Sequence, residues 1–277
     1  MQNNKLKMCV GALAVCSLQL LNTAIATELD AELVNGNVFL YGDNIEVGIA
    51  SNGAFGSEVA SPRGEMQGKK LGYISDPSKN NFNNGYHGDF FLPQVPEEGW
   101  GIYLDGKAYN NNRNQQWSGI NGSIISTNKT NTTATTTWQS KKPLEGDGGK
   151  DQLDGLQVTQ IFRIYKVGLA VIVDVALKNT TSHLMQNVYY MRTVDPDNNA
   201  EQSSASNPYS TTNTIMHQGN EKGGAVVVAR QSTTSQASNL VSKTIPSLLG
   251  LYGQGENSRV AQGGTDDVNF PYYRNPK

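Results

Sequence analysis

Oxygen-bearing side chains recur at every second position of the segment TVDPDNNAEQ, residues 193–202. They belong to Asp195, Asp197, Asn199 and Glu201. Calcium is a hard cation that prefers several oxygen ligands, so the spacing predicts a calcium site at these four residues. The segment departs from the EF-hand pattern at the sixth and twelfth positions of such a loop. Two alternatives therefore stay open: a solvated turn whose aspartates accept hydrogen bonds from backbone amides, and a loop that contacts another ligand.

A second acidic segment, EGDGGKDQLDG (145–155), contains four carboxylates among glycines. Turns of this composition occur without any ligand, but the same oxygen chemistry suits calcium. We expect either a plain turn or a loop that binds calcium, alone or together with the first segment.

A long segment with few regular signals, residues 71–100, carries carboxylates and aromatic rings that suit ligand binding. Asp89 lies in this segment with Trp100 at its end, and Tyr109 and Trp117 follow soon after. We predict these four residues as a ligand-binding group, with the tryptophans as stacking platforms for a sugar. The alternative is that the aromatic rings only cover one end of the fold.

Paired carboxylates in the same region open an enzymatic alternative. A glycoside hydrolase needs two facing carboxyl groups roughly 5–10 Å apart. Asp89, Glu97 and Asp105 are the candidates, and their separation cannot be read from the sequence.

Several other kinds of catalytic site are disfavoured by the motifs. The three histidines, at positions 87, 183 and 217, are far apart and form no zinc-binding motif. The chain contains no G-x-S-x-G nucleophile elbow and no phosphate-binding P-loop. Both cysteines, Cys9 and Cys16, lie close to the N-terminus. No catalytic residue is therefore predicted.

The first 26 residues have the pattern of a secretory signal peptide. Lys5 and Lys7 precede an apolar stretch, and Ala24-Ile25-Ala26 forms a small-x-small cleavage site. The stretch is shorter and more polar than a membrane span requires, and a lipoprotein signal ending at Cys16 is a further alternative. We expect residues 27–277 to form one large exported domain without a transmembrane segment. Its predicted location is extracellular or at the cell surface, with the periplasm as the alternative.

Charge argues against a nucleic-acid partner. The chain has 22 basic and 24 acidic residues, and two of the basic ones lie in the predicted leader. Binding to a phosphate backbone needs clustered lysine and arginine, and the sequence contains no such cluster.

Short runs of strand-forming residues alternate with turn residues, which predicts an all-β fold, an antiparallel β-sandwich with long loops. Residues 37–56 predict three short strands, residues 99–109 a strand entering an Asp-Gly turn, and residues 122–140 a hairpin. Residues 156–197 predict a meander of three consecutive strands that buries one face. Residues 223–230 are apolar enough for a central strand, and residues 245–255 suit either a strand or one helical turn.

Two segments carry a resemblance to known proteins: ALKNTTSHLMQNVYYMRTVDPD (176–197), and GDFFLP with PEEGWG between residues 88 and 101. Both are similar to segments of bacterial extracellular β-sandwich surface modules, and the first also resembles the supersandwich of sugar-processing proteins. The resemblance implies a supersandwich-like fold and an exported surface module, and it carries no catalytic motif.

These observations predict a secreted or cell-surface binding, adhesion or matrix module that is not catalytic. Its partner would be a glycan or a protein at a surface. It would need no cofactor, with calcium as the one candidate. The alternative function is a carbohydrate-active enzyme with paired carboxylates.

Overall fold

The computed structural model describes residues 28–79, 82, 88–91, 98–112, 119–141, 153, 155–196, 211–217, 224–231 and 248–254. Within these ranges the chain is all-β, with antiparallel strand pairs and no helix, so the predicted fold class is confirmed. No helix in the same ranges is long and apolar enough to cross a membrane. The predicted leader and the acidic positions 145, 147, 151 and 154 lie outside the described residues.

Fourteen strands form four sheets in the described part of the chain. The front sheet has the order β1 (Asp30–Val34), β2 (Asn37–Tyr41), β3 (Ile45–Ile49) and β4 (Tyr73–Ser75). The back sheet has the order β10 (Ile172–Asn179), β9 (Leu156–Tyr165), β8 (Thr133–Ser140) and β7 (Gly122–Lys129). The middle sheet has the order β11 (Tyr189–Val194), β5 (Glu98–Leu104) and β6 (Lys107–Asn112). The C-terminal sheet has the order β12 (Thr211–His217), β13 (Ala225–Gln231) and β14 (Leu248–Gly253).

The sandwich-like arrangement follows from side-chain alternation. β8 and β9 bury every second residue, as a strand between a core and solvent does. β1 and β2 of the front sheet lie against β7 and β8 of the back sheet. Apolar side chains from the front, back and middle sheets form one main core, including Leu40, Trp100, Trp138 and Phe162.

β2 and β3 of the front sheet are buried on both faces, which explains the continuous apolar run of β2. Val38 and Leu40 belong to the main core, whereas Phe39 and Tyr41 point to a second cluster on the other face. We call residues 57–71 the covering loop, because Met66 and Leu71 of this segment pack on that second cluster.

Turn chemistry fixes two hairpins. Asn35-Gly36 joins β1 to β2, and Asp105-Gly106 joins β5 to β6, with positive φ at both residues of each pair. Two-residue turns of this kind match the twist of antiparallel strands, and asparagine, aspartate and glycine adopt them most easily. The predicted Asp-Gly turn and the 122–140 hairpin are both confirmed.

The predicted three-strand meander over residues 156–197 is wrong in its third strand. β9 and β10 pair as expected, but β11 pairs with β5 in the middle sheet, with Arg192 opposite Trp100. β11 follows β10 after a nine-residue connection, and Arg192 of β11 forms an ion pair with Glu98 of β5. The expected third strand of residues 37–56 is reduced to one bridge between Ile49 and Phe55.

The C-terminal sheet confirms one expectation and decides between two alternatives. β13 is its central strand, as its apolar sequence predicted, and residues 248–253 form a strand rather than a helical turn. Leu249 packs against the main core, and the Thr211 hydroxyl donates a hydrogen bond to the Pro196 carbonyl at 3.0 Å. One face of this sheet therefore points toward the rest of the molecule.

Candidate functional site

Asp89, one of the predicted ligand-binding residues, is buried and bonded to the backbone. Its carboxylate accepts hydrogen bonds from the amides of Gly72 at 2.6 Å, Tyr73 at 3.1 Å and Phe91 at 2.8 Å. These bonds tie residues 88–91 to the beginning of β4. The side chain therefore supports the local backbone in this structure.

Trp100 lies in the main core and is completely buried. Its ring makes an edge contact with Trp138, at 5.0 Å between centroids, and stacks on Tyr190. Tyr109, half-buried on the neighbouring strand β6, packs against the same core. Trp117 lies outside the described residues. A stacking role for Trp100 would require exposure of its ring, and the ligand-binding role of the group stays a prediction.

Asp105 is one of the three carboxylates of the enzymatic alternative. Asp105 lies in the turn after β5, where its carboxylate accepts a hydrogen bond from the Gln186 amide at 3.2 Å. Glu98 is seven residues away at the other end of β5, a separation of about 23 Å in an extended strand. That distance excludes a glycosidase pair formed by these two residues. Glu97 lies outside the described residues, so a carboxylate pair among Asp89, Glu97 and Asp105 stays a prediction.

Of the four predicted calcium ligands, the structure describes only Asp195, which is half-buried just after β11. Asp197, Asn199 and Glu201 lie outside the described residues. Within the described ranges, no group of three or more histidine, cysteine, aspartate or glutamate residues could hold a metal ion. The calcium site stays a prediction.

The most extensive polar group in the described interior is centred on Arg192, and we call it the Arg192 cluster. Its other members are Glu98, Gln160, Tyr190 and the Phe55 amide. The guanidinium Nε lies 2.6 Å from Glu98 Oε1, and its Nη1 donates to the Gln160 side-chain carbonyl at 2.8 Å. The Tyr190 hydroxyl donates to the same Gln160 oxygen at 2.9 Å. The Phe55 amide donates to Glu98 Oε2 at 2.6 Å.

Aromatic rings surround the same guanidinium. Its central carbon lies 4.2 Å from the centroid of Phe55 and 5.3 Å from that of Phe162. Cation–π attraction of this kind is strongest where water is excluded. The cluster therefore joins β5, β9, β11 and the turn before Phe55 through one buried charge.

Burial and pairing act in opposite directions on these titratable groups. Desolvation raises the pKa of the Glu98 carboxyl, while the Arg192 guanidinium and the Phe55 amide act to lower it. Desolvation acts to lower the pKa of Arg192, but the attraction of Glu98 and contacts with Tyr190 outweigh it and raise that pKa. Arginine stays protonated in proteins, so Glu98 is the group that compensates its charge.

The turn at residues 51–53 is held by side chains from two sheets. The Trp138 indole donates to the Ser51 carbonyl at 2.9 Å, and the Trp100 indole donates to the Asn52 carbonyl at 3.1 Å. A further guanidinium nitrogen of Arg192 donates to the Gly53 carbonyl at 3.3 Å. A buried turn needs such partners, because its carbonyls cannot reach water. The Arg192 cluster is thus part of the support of the fold.

A second buried carboxylate lies under the covering loop. Glu46 of β3 accepts a hydrogen bond from the Glu65 amide at 2.8 Å. Burial raises the pKa of Glu46 to about 7; the Glu65 carboxylate acts in the same direction, and nearby amides and Arg63 oppose it. Arg63 itself lies over the Tyr41 ring at 4.4 Å and pairs with Asp30. This arrangement closes the covering loop onto the front sheet.

The outward face of the C-terminal sheet is exposed and apolar, in contrast to the buried charged groups described above. Three large apolar side chains lie on or beside it and are mostly exposed: Met216 at 63%, Leu248 at 53% and Tyr252 at 61%. Cross-strand pairing places Arg230 between Thr212 and Leu248 on this face. The remaining positions of the face are Thr214, His217, Val226, Val228 and Gly250.

The Tyr252 ring is exposed and passes close to the backbone of a neighbouring glycine. It lies across Gly224, where a Cβ atom would approach Tyr252 Cε2 to 2.7 Å. On the same strand, a Cβ at Gly250 would meet nothing within 4 Å, so the face has an open notch between Leu248 and Tyr252. An exposed aromatic ring beside an open notch offers a ligand a large apolar contact surface.

Neither the Arg192 cluster nor this exposed face was found by reading the sequence. Arg192 and Glu98 are 94 residues apart, and nothing in the local pattern of either strand links them. Tyr252 carries a weak signal, because it is an aromatic residue between glycines in the segment GLYGQG (250–255). An aromatic residue with small neighbours on a strand is more accessible than one among bulky side chains.

Comparisons of the chain with protein-family models, with curated proteins and with solved structures found no match.

Proposed function

We propose that this chain is a secreted or cell-surface binding protein of the adhesion type, without catalytic activity, and that its partner is another protein. The observation that carries the proposal is the outward face of the C-terminal sheet. There Tyr252, Leu248 and Met216 are each more than half exposed. Exposed apolar groups concentrated on one sheet face are typical of interaction sites.

The composition of the face favours a protein partner. Protein interfaces are enriched in aromatic residues, methionine and arginine, and depleted in lysine, aspartate and glutamate. Tyr252, Met216 and Arg230 supply the enriched types. Among the ten positions described above for this face, none is lysine, aspartate or glutamate.

The non-catalytic part of the proposal is supported by the buried carboxylates. Asp89 is bonded to three backbone amides, and Glu98 is paired with Arg192. Each of these carboxylates is already used by the fold. The proposed location is outside the cell or at its surface, as the N-terminal pattern predicts, with the periplasm as the alternative.

A binding screen with purified protein tests the proposal. Three probes are used in parallel: a phage-displayed peptide library, a glycan array and intact bacterial cells. Each is applied to the wild type, to Tyr252→Ser and to Arg230→Glu. The control is Tyr165→Ser, which removes an exposed tyrosine from the back sheet.

We expect peptides or cells to bind the wild type and the control equally. Binding to Tyr252→Ser should be weaker by about tenfold or more, as for a central interface tyrosine. The proposal fails if none of the probes binds, or if the Tyr252 and Arg230 variants bind as the wild type does. Binding on the glycan array alone would overturn the assignment of a protein partner.

A further inference from the structure

β10 forms one edge of the back sheet. It pairs with β9 from Ile172 opposite Arg163 to Asn179 opposite Leu156, and the register has no irregularity. No described strand pairs with its other side. An edge strand of eight regular residues presents backbone donors and acceptors in the arrangement that another strand requires.

Side-chain exposure along β10 agrees with an open edge. Ile172 and Leu177 are each 37% exposed, and Val173 and Val175 are only half-buried. β9, its neighbour in the sheet, instead buries every second residue almost completely. Val173, Val175 and Leu177 lie opposite the buried Phe162, Gln160 and Val158, and thus extend the core face of the sheet to an edge where a further strand would cover them.

The charges of β10 are arranged symmetrically. Asp174 and Lys178 lie at equal distances from Ala176 and on the same face of the strand. When two such strands pair antiparallel about Ala176, Asp174 of each copy lies opposite Lys178 of the other. A shift of the centre by one residue, to Val175 or Leu177, places neither aspartate opposite a lysine. Charge therefore selects one register.

We propose that two copies of this chain associate through β10, antiparallel and centred on Ala176, so that their back sheets form one continuous sheet. Opposite-charge pairs between Asp174 and Lys178 of the second copy occur twice by symmetry. Val175 lies opposite Leu177 of the second copy, which continues the apolar face across the junction. This inference is independent of the face proposed above for the partner protein.

The surrounding charges are compatible with this pairing. Asp174 accepts a hydrogen bond from Arg163 of β9 at 2.9 Å, and its side chain remains more than half exposed. Lys178 lies opposite the uncharged Gln157, and no described residue forms an ion pair with it. Each aspartate would thus lie between one arginine of its own chain and one lysine of the other.

A strand-to-strand contact is smaller than most stable interfaces, so the association is expected to depend on concentration. Sedimentation velocity over a concentration series measures it. Asp174→Lys places like charges opposite each other in a homodimer, and so does Lys178→Asp. Each single variant should therefore dimerise at least about tenfold more weakly than the wild type.

A mixture of the two single variants gives the decisive result. A heterodimer of Asp174→Lys with Lys178→Asp places opposite charges at both positions again, so mixing should restore the association. The control Lys166→Asp makes a comparable charge change in the turn before β10 and should dimerise as the wild type does. Tyr252→Ser should also leave the association unchanged, which separates this test from that of the partner-binding face.

Far-UV circular dichroism identifies any variant that fails to fold. If a single variant fails to fold, the double variant Asp174→Lys/Lys178→Asp replaces it in the test. This double variant keeps both opposite-charge pairs and should dimerise as the wild type does. A wild type that remains monomeric at the highest attainable concentration would overturn the inference. So would a dimer that withstands both single substitutions, or a mixture that associates no better than its components.

Discussion

The Arg192 cluster and the outward face of the C-terminal sheet combine similar residue types in opposite surroundings. In the interior, Arg192 lies against Phe55 and Phe162 and is neutralised by Glu98. On the sheet, Arg230 and Tyr252 share a face and remain exposed. The comparison shows that residue type alone does not mark a binding site. The two regions differ in whether each side chain already contacts other residues of the protein or is open to solvent.

The comparison also separates the energetic roles of the two regions. A buried charge carries a large desolvation penalty, so its partners are essential to the folded state. An exposed side chain carries no such penalty, and its removal changes the free energy of unfolding little. The following predictions are ordered from the largest expected effect to the smallest.

Arg192→Met should destabilise the protein most. It leaves Glu98 buried without its counter-charge, and losses of about 3–5 kcal/mol are typical when one partner of a buried pair is removed. Chemical denaturation with urea measures the change in the free energy of unfolding. The matched control, Arg230→Met, alters an exposed arginine and should change that free energy by less than about 0.5 kcal/mol. Equal effects of the two substitutions would contradict the contrast between the regions.

Glu46 should make the stability depend on pH. Its pKa is raised to about 7 by burial, above its ordinary value of 4.5, so the folded state binds the proton more tightly than the unfolded state does. The contribution of Glu46 to the free energy of unfolding should therefore be largest at low pH and decrease as the pH rises between these two values. The full decrease from this group is about 3 kcal/mol.

Glu46→Gln isolates that contribution. The amide can still accept the hydrogen bond from the Glu65 backbone, but it does not titrate. Urea denaturation at pH 4.5, 6 and 8 should show a flatter pH dependence for the variant than for the wild type. Glu28→Gln, at an exposed position, is the control. Parallel curves for wild type and Glu46→Gln would show that Glu46 ionises with its ordinary pKa.

Gly250→Thr should separate folding from binding. A Cβ at this position meets no neighbour, and replacing a strand glycine by a β-branched residue is expected to stabilise by up to about 1 kcal/mol. The same side chain would fill the notch between Leu248 and Tyr252 and weaken partner binding. Thermal unfolding and the binding screen measure the two effects. Weakened folding would show that the position is not open to a larger side chain, and undiminished binding would show that the notch is not part of the binding face.

Arg163→Ala should have the smallest effect. Its ion pair with Asp174 at 2.9 Å is partly exposed to solvent, and exposed pairs contribute about 0–1 kcal/mol. Urea denaturation in low and high salt tests this expectation. A loss of unfolding free energy comparable to that of Arg192→Met would mean that solvent exposure does not predict how strongly an ion pair stabilises this protein.

The parts of the fold that depend on local pattern were predictable from the sequence. Alternation identified the buried face of β9, the apolar run identified β13 as a central strand, and Asp105-Gly106 identified a hairpin turn. Each of these features is decided by neighbours in the chain. Side-chain period and turn chemistry are sufficient for them.

The pairing of distant strands was not predictable in the same way. The sequence of β11 predicts a strand, but it does not show that the strand pairs with β5 rather than β10. The burial of Trp100 likewise depends on contacts with Trp138 of β8 and Tyr190 of β11. An exposed tyrosine and a buried one look alike in a sequence. For this reason the aromatic residues chosen for ligand binding included one that lies in the core.

The affinity of Tyr252→Ser for the peptide or cell ligand, measured together with its free energy of unfolding, tests the central claim most directly. The account predicts that the affinity falls by about tenfold or more while the free energy of unfolding stays within about 1 kcal/mol of the wild type. Unchanged affinity would contradict it, as would a loss of affinity that merely accompanies unfolding of the variant.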